Sequence, residues 1–448
     1  MKGKNWWERS LLLWNLLFCL LLAARISLLA ANRFPYPGQT HKLKNGLTII
    51  LSPGSYFPIV ALAVGYRVGP LYEKPEQAGI SYLMENLMFQ GSQNVGRMQH
   101  IRYIQRVGGV LNVLTSYDRM IFYQSLPSHH LPLVFWLESD RMARLSLTRS
   151  AIQREIMAIV DEINFRHSRD PYLEYEELFN RLLFPQFPYY LPLYGTKNNL
   201  SSLSPREIRQ FYTRFFCPRN AVICVTGNFD EKTTLALFQK YFSSIPGGSP
   251  PSLELPSLEN QQFQKVERTV GKETIPSPAI FLGFPLYTLQ SKELPVLHLI
   301  EYILLHGQSS RLQKRLLVKE RVVLRLSGGL ETRGQVGAFK FFLSSTNATA
   351  LARAKRILWQ EINKLKSEAI KEAELTKAKR LYEKDFLQNF LTASSRAVTL
   401  IDYFFSGKSV TAPLEELKKI QAVTPSDIAG IMNRYFTNNY ILVQVEIK

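Results

Sequence analysis

Apolar and polar positions along this chain follow two periods that alternate in blocks. GLTIILSP (46–53) and PIVALAVGYRVG (58–69) have strand character, and GGVLNVLTSYDRMIFYQSLP (108–127) has it again. Between them, GISYLMENLMFQGS (79–92) carries the helical period. From 137 to 183 the pattern is long, charged and amphipathic, which predicts consecutive helices, and NAVICVT (220–226) predicts a buried strand that closes the first half. PGGSPP (246–251) then starts a linker, because proline and glycine together refuse both helix and ladder.

The second half echoes the first. Ser204-Pro205-Arg206-Glu207-Ile208 through Arg214-Phe215-Phe216 matches Thr424-Pro425-Ser426-Asp427-Ile428 through Arg434-Tyr435-Phe436 at one constant offset, and apolar runs at 222–225 and 442–445 follow in register. Each half therefore ends in the same helix-then-strand unit. The expected class is α+β: a leader (1–32), a first domain (33–245), a linker (246–275) and a related second domain (276–448).

At 448 residues, 46% hydrophobic and 20% charged, the chain is long and apolar enough for two or three ordinary cores. The formal net charge of +19 raises nucleic acid or an anionic membrane as partners. The basic residues, however, are spread through stretches such as RAKRILWQEINKLKSEAIKEAELTKAKRLYEKDF (353–386), interleaved with Glu at helical spacing. No nucleic-acid-binding signature accompanies them, so a solvated basic surface is expected and no nucleic-acid partner.

Lys2, Lys4 and Arg9 precede an apolar run from Leu11 to Ala24, the order of an export signal. The small-x-small cleavage pattern is poor, since Leu28 or Leu29 stands three before each candidate cut. A cleaved signal peptide and a retained membrane anchor both stay open, and either places the following chain in the periplasm or facing the exterior. Cys19, Cys217 and Cys224 make no disulfide framework; Cys217 and Cys224 flank one turn and either pair or remain buried thiols.

Several blocks together resemble the pitrilysin/insulinase (inverzincin) metallopeptidases: HKLKNGLTIIL (41–51), VGPLYEKPEQAGISYLMENLMFQGS (68–92), GGVLNVLTSYD (108–118), the helix with Glu155 and Glu162, LYGTKNNLSSLSPREIRQFYTRFFCPRNAVICVTGNF (193–229) and SSRL (309–312). The chain is similar to the short two-domain bacterial members, themselves like the mitochondrial processing peptidase subunits. The resemblance implies two homologous domains, each a mostly antiparallel sheet packed with helices, forming half of a clamshell chamber. In active members two histidines of His-x-x-Glu-His hold zinc on one helix face and the Glu between them activates a water.

Carried over residue by residue, that site is damaged. Tyr82 stands at the first His and Asn86 at the second, while the general base survives as Glu85 and the third ligand as Glu162. A phenol and an amide do not replace imidazoles on zinc, so no metal cofactor is expected. Glu155 matches a further family carboxylate, or is simply a solvent-facing helix residue. The Arg and Tyr with which active members support the substrate carbonyl align with Leu317 and Leu324, which donate no hydrogen bond. The family's peptide-holding edge strand is largely kept as Gly108, Gly109, Leu111, Asn112 and Thr115, with Val113 in place of Ala. Peptide binding there and a purely structural strand are both open.

The remaining histidines offer no rebuilt site. His129 and His130 are adjacent and on an extended chain point to opposite sides, His100 and His167 stand alone in charged helical segments, and His306-Gly307-Gln308 reads as a turn. The expectation is a non-catalytic homologue, a structural or peptide-binding subunit paired with an active paralogue or with itself. A stand-alone envelope-assembly protein and a zinc peptidase with substituted ligands are the alternatives.

Overall fold

The computed structural model describes residues 37–55, 57–252, 255–258, 265–271 and 275–447; the expected leader lies outside them. Two mixed sheets form the frame. The first contains β1 (Gln39–Lys42), β2 (Thr48–Pro53), β3 (Ile59–Tyr66), β4 (Val110–Thr115), β5 (Met120–Pro127) and β6 (Ala221–Gly227), in the order β1-β2-β6-β3-β5-β4. The second contains β7 (Val266–Gly271), β8 (Ala279–Leu286), β9 (Arg325–Arg333), β10 (Val336–Ser344) and β11 (Ile441–Glu446), in the order β7-β11-β8-β10-β9. Leave out β1 and the two orders coincide strand for strand. Even the single parallel contact recurs, β2 on β6 and β7 on β11, with the other pairs antiparallel. β7 lies inside the segment read as linker.

The repeated unit is built by local chemistry. The helices Pro205–Phe215 and Pro425–Tyr435 each begin with a capping box, Ser204 with Glu207 and Thr424 with Asp427, and each has proline in its first turn. β6 is buried at every residue because both faces of the sheet are covered there, which explains its unbroken apolar run.

Covering those faces interlocks the two halves. One face of the first sheet packs on its own helices, through Leu83, Phe135, Phe211 and Phe238. Its other face, with Ile50, Ala61, Ile121 and Cys224, is covered from the second half by Phe390 and by Leu400 and Ile401 of the helix Ala393–Phe405. The exchange is reciprocal: Tyr175, Phe179 and Leu183 of the first-half helix Leu173–Leu183 cover Phe281, Ile441 and Val443 of the second sheet. A glycine admits each visiting helix. A Cβ on Gly65 of β3 would meet Ile401 at 2.5 Å, and one on Gly283 of β8 would meet Phe179 at 2.7 Å. Polar ties lock the same contacts, with Arg396 donating to the Gly54 carbonyl (3.0 Å) and Tyr172 to the Ser277 carbonyl (2.6 Å).

Because each half supplies cover for the other, Phe179→Ala and Leu400→Ala each lower the stability of the whole chain, by about 3–5 and 2–5 kcal/mol respectively. Urea unfolding followed by fluorescence and by far-UV circular dichroism is expected to show one shared transition in both variants. Separate transitions for the two halves would contradict the interlock.

Candidate functional site

The helix Ile80–Leu87 carries the first three residues of interest, and its start is fixed from two sides. Glu73, buried, accepts the Gly79 N–H at 2.7 Å and the Ser81 N–H at 2.9 Å, satisfying donors that the helix itself leaves free. Burial outweighs these two bonds and pushes the Glu73 carboxyl up to about 7. Gly79 turns the chain with φ 101°, and Gly195 of the LYGTKNN loop lies against it so closely that a Cβ there would stand 2.3 Å from the Gly79 backbone. Leu83, Met84 and Leu87 are buried in the first core. Tyr82, Glu85 and Asn86 are half-buried, and the helix packs against the long helix Arg149–Arg169.

Tyr82 and Glu162 meet as the sequence suggests, but through a hydrogen bond. The Tyr82 hydroxyl donates to Glu162 at 3.0 Å (Oε1) and 3.2 Å (Oε2). Arg166, one turn further along the same helix, donates Nε at 3.0 Å and Nη2 at 2.6 Å to that Oε1. The Asn86 amide turns back on its own helix and donates to the Tyr82 carbonyl at 3.1 Å. Glu85 accepts from Thr115, the last residue of β4, at 2.6 Å. Burial, aided by the Glu162 charge, pushes the Tyr82 hydroxyl up to about 12, so it stays a neutral donor at physiological pH. Burial also raises Glu85, the Thr115 bond pulls it back, and the negative Glu162 pushes it up again.

This donor set does not fit zinc. Of the three ligand positions, one holds a protonated phenol, one an amide whose NH2 is engaged, and the third a carboxylate already held by a guanidinium and a hydroxyl. Among the described residues no group of three or more His, Cys, Asp or Glu is placed to hold a metal ion.

The other expected residues scatter. Glu155 is half-buried on the long helix, its carboxyl raised by burial. Leu317 packs half-buried against the second core, and Leu324 is exposed just before β9. Gly109 precedes β4, the free edge of the first sheet. Along β4, Leu111, Val113 and Thr115 are half-buried, Val110, Asn112 and Leu114 are exposed, and Asn112 Oδ1 accepts the Val113 N–H at 2.8 Å. Cys217 and Cys224 are free, buried thiols.

Of the histidine readings, one gains detail and one is corrected. His100 is buried, 3.1 Å from the Gln124 side chain and beside the buried Glu138–Arg141 pair, and desolvation pushes it down to about 3. Its helix has an apolar face that the many charges around it concealed. His129 and His130 lie in a helical turn with ring centroids 4.0 Å apart, because the chain is not extended there.

A family model described as "Insulinase (Peptidase family M16)" matches residues 49–196, and one described as "Peptidase M16 inactive domain" matches 202–382. The chain belongs to peptidase family M16. The M16 chain is 25% identical over 399 residues to the zinc protease PqqE of Helicobacter pylori, covering 88% of this chain and 89% of that protein. It is 27% identical over 256 residues to the mitochondrial-processing peptidase subunit beta of Saccharomyces cerevisiae, 55% of this chain and 54% of that one. A crystal structure of a protease from Helicobacter pylori superposes with a TM-score of 0.85 at 23% identity, covering 92% of this chain and all of that one. The two-domain M16 fold expected from the motifs is therefore the fold observed.

Sequence reasoning missed Glu73, Gly195 and Arg166. The spacing of Glu162 and Arg166 was a visible signal for the last of these.

Glu73 titrates near 7 in the folded chain against an ordinary 4.5, so the folded state holds the extra proton between those values. Its contribution to stability is full below about pH 4.5 and is lost as pH rises through about 7. Urea midpoints measured at pH 4.5, 6 and 8 are expected to show that decline in the native chain and a flatter profile in Glu73→Gln.

Proposed function

We propose that this M16 chain is a non-catalytic subunit, exported to the periplasm or anchored facing it, that serves as the structural or peptide-binding half of a pair whose other half carries the zinc site. One observation carries this reading: Glu162, the carboxylate that would complete a metal site, is taken by Tyr82 and Arg166, and among the described residues no group of three or more His, Cys, Asp or Glu is placed to hold a metal ion. Leu317 and Leu324 add no donor, so holding or scaffolding suits the chain better than completing a partner's chemistry.

The peptide-binding part rests on β4. It is a free sheet edge with Val110 and Leu114 exposed, and an extended peptide adds to such an edge through main-chain hydrogen bonds, with alternate side chains giving preference. Pairing is supported by the name of one relative, a processing-peptidase subunit. Export is supported by the basic-then-apolar order of the first residues; among the described residues no helix is long and apolar enough to cross a membrane.

Zinc incubation of the purified chain, followed by desalting and elemental analysis, is expected to leave no stoichiometric zinc. Peptide cleavage is expected only after mixing with an M16 chain that has both histidines. Stoichiometric zinc, with cleavage abolished by Glu85→Gln, would overturn the proposal in favour of a peptidase with substituted ligands. Val110→Asp, at an exposed position, is expected to leave folding unchanged and to weaken binding of an extended apolar peptide roughly tenfold, about 1.4 kcal/mol, as measured by calorimetry.

A further inference from the structure

We infer that Arg166 is the resident cation of the vestigial site, forming with Tyr82 and Glu162 a metal-independent clasp between the helices Ile80–Leu87 and Arg149–Arg169. The inference rests on the reading above that the chain holds no zinc, and it says what replaced the metal. Zinc in such a site does two things besides chemistry: it balances the charge of a carboxylate and it ties together the elements that carry its ligands. Both tasks have occupants here. The guanidinium of Arg166, seated on Glu162 at 3.0 and 2.6 Å, supplies the charge that opposes this carboxylate. The tie between helices is the Tyr82 hydroxyl on Glu162, with Arg166 Nη2 3.5 Å from that hydroxyl.

The second half supports the inference independently. The helices Leu294–Leu304 and Glu372–Gln388 hold the same places around the second sheet as Ile80–Leu87 and Arg149–Arg169 hold around the first, and they too pack on each other. They are joined by Tyr302, whose hydroxyl donates to Asp385 at 2.6 Å. A tyrosine on the short helix bound to an acid on the long one is thus how the counterpart half closes the same joint. The first half closes the joint with the same pair of groups, although Tyr82 lies near the start of its helix and Tyr302 near the end of its own, and it carries Arg166 beside them.

Arg166 and Glu162 are both more than a third exposed, so their ion pair alone is modest and a true zinc site would displace it. The expected signature is therefore graded. In the full chain, zinc affinity measured by chelator competition should be roughly tenfold weaker for Tyr82→His/Asn86→His than for Tyr82→His/Asn86→His/Arg166→Met, with no binding by wild type or by Arg166→Met alone. Equal affinities in the double and triple variants would overturn the clasp and leave the non-catalytic reading standing. Stoichiometric zinc in the wild type would overturn both. Hydrogen exchange in Tyr82→Phe needs no histidine variant to fold: amides of 80–87 are expected to exchange several-fold faster than wild type, and unchanged exchange would overturn the clasp.

Discussion

A sheet has two faces, and in this chain each sheet obtains the cover for its second face from the other half. That reciprocal burial is the constraint on which the rest depends. Phe179 and Leu183 lie on the second sheet, and Leu400 and Ile401 lie on the first. The glycines Gly65 and Gly283 follow from it, since a side chain at either would hold the visiting helix off the strand. So does the placement of the site. The first sheet is held from both sides, and β4 at its edge presents Thr115 to Glu85 at a fixed distance.

On that frame the residues that the family resemblance assigns to a metal site, Tyr82, Asn86 and Glu162, are joined by hydrogen bonds of other kinds. Glu85 remains, half-buried with a raised carboxyl, and among the described residues no group of three or more His, Cys, Asp or Glu is placed to hold a metal ion. Tyr82 reaches Glu162 because a phenol is long enough to span the gap between the two helices, and it does so as a donor rather than as a ligand. Asn86 bonds to its own helix, at the Tyr82 carbonyl. The site is electrostatically closed by groups the chain itself supplies.

What could be read from the sequence was local. The capping boxes at Ser204 and Thr424 are contained within four residues each, so the repeat of helix and strand was visible, and motif spacing placed Glu85 and Glu162 on facing elements. The exchange of helices was not visible, because the amphipathic stretches around Phe179 and Leu400 show an apolar face without saying which sheet it will cover. Arg166 was missed because its meaning depends on Tyr82, which lies far away in sequence and across a helix interface. The reading of His129 and His130 failed on backbone conformation, and the burial of His100 was not legible; neither property is fixed by neighbouring residue types. Glu73 was passed over for the same reason, since its task as a cap appears only once Gly79 has turned the chain toward it.

The central claim is that side chains, not a metal, close the gap between Tyr82 and Glu162. A crystal structure of the full chain grown with zinc, with diffraction recorded on both sides of the zinc absorption edge, tests it most directly. The account predicts no anomalous peak at Glu162 and a hydroxyl-to-carboxylate distance near 3.0 Å. An anomalous peak between Tyr82, Asn86 and Glu162, with Arg166 swung away, would contradict it.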